Sequence, residues 1–301
     1  MPAGRSRLAA SVLVASALVA GCSFAGPRPA AAPVPAPAPG PVVTATTPPT
    51  TTLAPTPSRA RAAVDATTSA GQERDDVTLG VAVLDRSTGQ ITTNDQGDTQ
   101  LRAASVAKLF TIADILSRRE AGQVTTSADD DERIRRALSL SDDEAMNGLW
   151  SRFGGEEGVV RIAAQLGLTQ TRPPERVGQW GEVETSARDV ATVYVFVLTR
   201  LSPADRDLVL SGLAGAQDTA ADGFDQAFGL LDPDRRGAAA AKQGWLCCLQ
   251  SSIDLHSTGL PDVDGRYVVV LMSNQPLGYD AGKSLLDDAA GAVRDALADG
   301  P

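Results

Sequence analysis

The sequence predicts an α+β domain, an antiparallel sheet flanked by helices with an all-α lobe inserted into it. Three observations carry that expectation. Alternating apolar strand patterns occur near both ends of the foldable part, at 77–91 and 244–273, so one sheet must be assembled from distant stretches of chain. Between them the strongly periodic segments are helical, and the last periodic segment, about 282 to 298, is helical again. A sheet interrupted by a block of helices leaves a cleft where the two parts meet, the expected place for a site.

Taken in order, the chain opens with Arg5 and Arg7 ahead of the apolar run Leu8 to Ala20, which ends in Val19-Ala20-Gly21-Cys22. This is the pattern of a secretory signal over residues 1–21 with a lipobox-like cleavage site. About a dozen apolar residues are too few to span a bilayer. Cleavage would expose Cys22 for lipid attachment, so the expected location is secreted and anchored to the outer face of the bacterial cell membrane. Residues 22–57 are mostly Pro, Ala and Thr, with Arg28 as the sole charged side chain. Such a stretch cannot bury a core and reads as a semi-rigid tether. Residues 58–301 then form the folded domain. Past the signal there are 25 basic and 37 acidic residues, which argues against nucleic acid and against direct binding to anionic headgroups. Membrane contact would run through the lipid anchor.

Within the domain, 59–71 is Ala-rich and helix-compatible, and Val77, Leu79, Val81 and Val83 alternate as a strand. A turn at Arg86 to Gly89 leads to a second strand near Ile91. Helical patterns follow from Ser105 to just before Gly122 and at 131–152, 156–166, 186–201 and 203–214, with Gly or Pro punctuating them. Strands return at 244–249, 253–258 and 266–273.

One of these helices carries chemistry. From Ser105 onward, Leu109, Ile112, Ala113 and Leu116 recur at helical spacing, so Lys108 lies one turn beyond Ser105 on the same face. A serine hydroxyl becomes a useful nucleophile when a neighbouring base takes its proton, and a lysine stripped of water can be that base. The composition supports choice over accident. The chain has 24 arginines but only three lysines, Lys108, Lys242 and Lys283, so an ordinary surface cation here would be arginine. Guanidinium does not give up its proton.

Other chemistries are poorly supplied. Apart from Cys22 the cysteines are the adjacent Cys247 and Cys248. Neighbours in a strand point to opposite faces, so no structural disulfide is expected. His256 is the only histidine, which removes His-based zinc sites and leaves a Ser-His-Asp triad dependent on that one residue. No metal and no cofactor is expected.

Two further stretches stand in order behind Ser105-Val106-Ala107-Lys108: Ser141-Asp142-Asp143 ahead of a helix, and Lys242-Gln243-Gly244-Trp245 opening a strand. Together they resemble the signature of the penicillin-recognising serine acyltransferases, the class A β-lactamases and low-molecular-mass penicillin-binding proteins, which runs S-x-x-K, S-D-N, K-T-G. The resemblance covers nearly all of 59–299. It implies the β-lactamase/transpeptidase-like fold and an acyl-enzyme formed with D-alanyl peptides of the cell wall or with β-lactams. By the same resemblance Ser105 would be the nucleophile, Lys108 its activating amine, Ser141 a proton shuttle and Lys242 the anchor for a substrate carboxylate. Gly244 would let substrate run alongside the strand, and backbone N–H groups of Ser105 and near Trp245 would hold the oxyanion.

The departures matter as much. Asp143 stands where the family has Asn, and Gln243 where it has Thr or Ser, both at substrate-facing positions. Ser141 follows Ser105 by only 36 residues, a short interval for class A enzymes. Before Thr185-Ser186-Ala187 there is no E-x-x-L-N pattern to supply a deacylating glutamate; Glu175, Glu182 and Glu184 are candidates by proximity alone. These departures leave open a degenerate domain that binds wall peptides or a protein partner, and a plain esterase using the same serine and lysine.

Overall fold

The computed structural model describes residues 58–298, apart from 73, 75, 250 and 263. The expected signal, Cys22 and the tether lie outside the described residues. In chain order the strands are β1 (Thr78–Asp85), β2 (Gln90–Thr93), β3 (Leu101–Arg102), β4 (Glu184–Thr185), β5 (Ala240–Leu249), β6 (Ser252–Leu260) and β7 (Tyr267–Pro276). The helices are α1 (Arg59–Gln72), α2 (Ala107–Glu120), α3 (Ala128–Ser139), α4 (Asp143–Phe153), α5 (Gly155–Leu166), α6 (Ala187–Thr199), α7 (Pro203–Ala214) and α8 (Tyr279–Ala298).

Five strands make one antiparallel sheet in the order β2-β1-β7-β6-β5, and the short β3 and β4 pair separately. The chain ends therefore meet as expected, with β1 against β7 in a register that sets Leu84 beside Val268. Side chains alternate across the pleat. Ala82, Leu84, Val268, Val270 and Met272 face the inserted helices, whereas Val81, Val83, Val269 and Leu271 face α1 and α8. Burial on both faces explains why Val268 to Met272 reads as an unbroken apolar run.

The α2 helix passes through the middle of the first core, with Ala107 to Leu116 buried without interruption. Local chemistry starts its neighbours. Ser127 and Asp130 close a capping box on α3, Ser186 caps α6 by accepting from Asp189 N–H, and Ser202 with Pro203 starts α7.

The structure differs from two expectations. The helical pattern over 131–152 is broken at Leu140 to Asp142, because Asp142 caps a new helix, its carboxylate accepting from Ala145 N–H while pairing with Arg136. This break projects Ser141 into the cleft. Cys247 and Cys248 flank a cis peptide bond and their sulfurs lie side by side. The strand reading sets neighbouring side chains on opposite faces.

Gly259 illustrates how tightly β5 and β6 are joined. Its φ is +150°, and a Cβ there would lie 2.2 Å from the Ala240 carbonyl oxygen. At Gly89, φ is +73° but the space around it is open. Gly259→Ala is expected to destabilise the fold by about 3 kcal/mol or more, and Gly89→Ala by about 1 kcal/mol. Denaturant titration of both variants checks the order; equal losses would show that β5 can move aside.

Candidate active site

Ser105 sits in a single 3-10 turn, Ala104–Val106, that runs directly into α2. The turn is sharp because Ala104 adopts φ +48°, a left-handed conformation that costs an alanine about 1 kcal/mol. Ser141 is likewise left-handed, at φ +51°. Both hydroxyls are thus presented by strained backbone held in place by its surroundings. Ala103 N–H donates to Val183 O at 2.7 Å, tying the turn to the loop before β4.

The spacing read from the sequence brings Lys108 to Ser105. Lys108 Nζ lies 2.6 Å from Ser105 Oγ, 3.1 Å from Ser141 O and 2.8 Å from Asp143 Oδ1. The amine is fully buried, and burial pulls its pKa down to about 8. Asp143 opposes this, since its carboxylate favours the ammonium. Without that carboxylate the amine would lose its proton at still lower pH. Lys242, also fully buried, donates to Ser141 Oγ at 2.9 Å and to Gln243 O at 2.8 Å. Burial and the repulsion of Lys108 hold its pKa well below the ordinary lysine value. Ser105, Lys108, Ser141, Asp143 and Lys242 therefore form one connected hydrogen-bonded chain.

The strand side of the site is β5, the edge of the sheet, with a strand neighbour on one side only. Gly244 is needed there for packing: a Cβ would meet the Ala103 carbonyl oxygen at 3.1 Å and Val106 Cγ2 at 3.2 Å. Its bareness thus lets the strand approach the turn that carries Ser105. The Trp245 side chain stacks on Phe224, ring centroids 4.4 Å apart, with Lys242 Nζ 5.9 Å from the Trp245 centroid. Gln243 turns from the cleft, its amide donating to Gln226 O at 3.3 Å and to Phe228 O.

The loop from Thr171 to Val183 closes the other side. None of Glu175, Glu182 and Glu184 hydrogen-bonds to Ser105 or Lys108; Glu182 pairs with Arg176. Instead the ring of Trp180 lies 4.3 Å from Lys108 Nζ, fixed by a 2.8 Å hydrogen bond from its Nε1 to Asn147 Oδ1. A cleft of about 500 Å³ opens beside it, lined among others by Asp143, Asn147, Glu182, Leu246 and Cys247. A cavity of similar size near Leu84, Val195 and Arg266 holds none of these groups.

His256 is completely buried and faces the site from behind. Its Nδ1 accepts from Ser273 N–H at 3.3 Å, so the proton resides on Nε2, which donates to Arg102 O at 2.7 Å. The ring therefore steadies the backbone ahead of Ser105 and has no hydrogen bond to the serine. Arg102 itself pairs with buried Asp254 at 2.5 Å. Sequence reasoning missed Trp180, Arg102 and Asp254; each lies in a segment without a local motif, and only the packing brings it to the site.

A β-lactamase/transpeptidase-like domain with a serine–lysine pair in the cleft is the class that this fold and geometry define. Comparison with known proteins agrees. The model of the beta-lactamase enzyme family matches residues 131–297. The protein named "Putative lipoprotein LppW" of Mycobacterium tuberculosis is 40% identical over 222 residues, 72% of this chain and 68% of the relative, and the protein of the same name from Mycobacterium bovis matches equally. The chain belongs to the beta-lactamase enzyme family. Among solved structures, a beta-lactamase from Burkholderia vietnamiensis superposes with a TM-score of 0.61 at 19% identity, covering 79% of this chain and 98% of that one. The structure titled PBP-A does so with a TM-score of 0.60 at 20% identity, covering 77% and 95%. At such identities these two likenesses concern the fold. Ser105 and Lys108 precede the family-model match, so their roles rest on the geometry.

The three lysines make the amine region of an isotope-labelled NMR spectrum assignable. Lys108 is expected to titrate near pH 8, and Asp143→Asn to lower that midpoint. A Lys108 midpoint near the ordinary lysine value, unmoved by the substitution, would contradict the burial argument.

Proposed function

We propose that this protein is a serine acyltransferase or hydrolase that forms an acyl-enzyme on Ser105 with D-alanyl peptides of the cell wall or with β-lactams, slowly and with slow release. The 2.6 Å contact between Ser105 Oγ and the buried Lys108 amine carries the reading. In its neutral form Lys108 takes the hydroxyl proton while Oγ bonds to the substrate carbonyl carbon. The carbonyl electron pair moves onto oxygen, stabilised by the backbone N–H groups of Ser105 and Trp245. On collapse the C–N bond breaks, Ser141 gives its proton to the leaving nitrogen, and Lys108 returns one to Ser141. Lys242 orients the Ser141 hydroxyl throughout.

The same geometry supports slowness. A protonated Lys108 paired to Asp143 is no base, so the competent fraction at neutral pH is small and grows as pH rises through about 8. Hydrolysis of the ester further needs a placed and activated water, and Trp180 packs against Lys108 where none of the loop glutamates reaches it. An adduct is expected to persist. The alternative of a pure binding module is favoured by the Asp143–Lys108 ion pair, by Gln243 in place of a hydroxyl residue and by the loop before β4, which brings no glutamate to Ser105. The lipoprotein name of the relatives, together with the sequence around Cys22, supports anchoring at the outer face of the membrane.

Incubation with a β-lactam is expected to add its mass to Ser105 slowly, with decay slower still and negligible turnover of a chromogenic cephalosporin. Lys108→Arg should reduce the labelling rate roughly 10²- to 10⁴-fold, whereas Asp143→Asn should raise it near neutral pH without hastening decay. A mass time-course decides: rapid multiple turnovers would restore a loop glutamate as general base, and no adduct at all would favour the binding module. Separately, Cys22→Ala should release the protein from membranes; unchanged membrane fractionation of the variant would remove the anchor.

A further inference from the structure

Asp143 carries a charge that the reaction deprives of its partner. Its side chain is 58% exposed, and Lys108, 2.8 Å from Oδ1, is its only ion-pair partner among the described residues. Acylation needs Lys108 as a neutral amine, and in that state Asp143 faces the cleft without a counter-ion. The other charged groups around the pair are committed. Lys242, from β5, donates to Ser141 Oγ and Gln243 O and keeps one N–H for a carboxylate on the leaving group. Arg176, from the loop before β4, is held by Glu182, and Asp142, from the break before α4, by Arg136. Asp222, from the loop before β5, accepts from Trp245 Nε1 at 3.2 Å. The cleft of about 500 Å³ that Asp143 lines continues past Trp180 and Asn147 to Leu246. Ser141 and Lys242 mark the leaving-group end, so a substrate lying along β5 places its acyl portion toward Leu246, in this cleft. A carboxylate there only accepts, so the acyl portion must bring a donor to it.

We propose that the site takes acyl donors whose acyl portion carries an ammonium group, which pairs with Asp143 and thereby frees Lys108 to act as the base. This rests on the acyl-enzyme reading above and names its substrate class. The exchange conserves charge: the substrate ammonium enters, Lys108 releases its proton to water, and Asp143 keeps one cation throughout. The freed amine then takes the Ser105 proton as the ester forms. Burial already favours release of the Lys108 proton and Asp143 is the group that retains it, so a second cation on that carboxylate tips the balance. The coupling is reciprocal, and the ammonium binds better as pH rises and Lys108 loses its charge.

Benzylpenicillin and ampicillin test this, since they differ by one amino group on the side-chain carbon next to the amide. At pH 6.5 that amine is largely charged, whereas Lys108, with its midpoint near 8, is neutral in only about 3% of molecules. Mass spectrometry is expected to show Ser105 labelled about tenfold faster by ampicillin, within the roughly thirtyfold that full deprotonation of Lys108 allows. In Asp143→Asn the two penicillins should label at equal rates. Equal rates in the parent protein, a preference for benzylpenicillin, or an ampicillin preference that survives Asp143→Asn overturns the inference and leaves the acyl-enzyme standing. No adduct from either penicillin removes the acyl-enzyme reading and the inference with it. A second readout needs no chemistry: in Ser105→Ala, the Lys108 midpoint followed by NMR should be lower with ampicillin bound than with benzylpenicillin bound, and identical midpoints overturn the inference as well.

Discussion

Lys108 is an amine without access to water, and its position depends on nearly every part of the fold. The α2 helix can carry it inside because the ten residues from Ala107 to Leu116 are buried between the sheet and the inserted helices. Four groups receive it: Ser105 from its own helix start, the Ser141 carbonyl from the break before α4, Asp143 from that helix, and the Trp180 ring from the loop before β4. A buried ammonium without partners would be costly, whereas this one is surrounded by acceptors and an aromatic face. The balance between burial, which expels the proton, and Asp143, which retains it, sets how reactive Ser105 can be.

The supporting architecture is arranged around the turn that precedes this lysine. β5 must come close to Ala103 and Val106, which is why Gly244 carries no side chain. His256 and the Arg102–Asp254 pair brace the backbone ahead of the turn from the β6 side, and Val183 O holds it from the loop side. A left-handed Ala104 survives in that setting because packing on several sides over-determines it. Strain at the two hydroxyl-bearing turns is thus offset by burial elsewhere in the core.

Asp143 changes what such a site can do. A carboxylate at this place pairs with the amine and accepts hydrogen bonds only, where an amide could donate as well. Trp180 beside Lys108 and Gln243 turned to the Gln226 and Phe228 carbonyls complete the surroundings of the amine.

The sequence by itself determined the α+β class, the split sheet, the membership of Ser105 and Lys108 in one helical turn, and the order of the Ser141 and Lys242 segments. These are legible because alternation of period two, periodicity of 3.6 and a three-residue interval are local properties of a chain. Only the tertiary structure decided that Asp143 reaches Lys108, that Trp180 fills the space near the amine, that Gly244 serves contact with Ala103, and that Gln243 faces its own loop. Each depends on which way a side chain turns once the chain is packed, across 35 residues for Lys108 and Asp143 and 15 for Gln243 and Phe228. That direction is set by three-dimensional neighbours, and no interval along the chain encodes it.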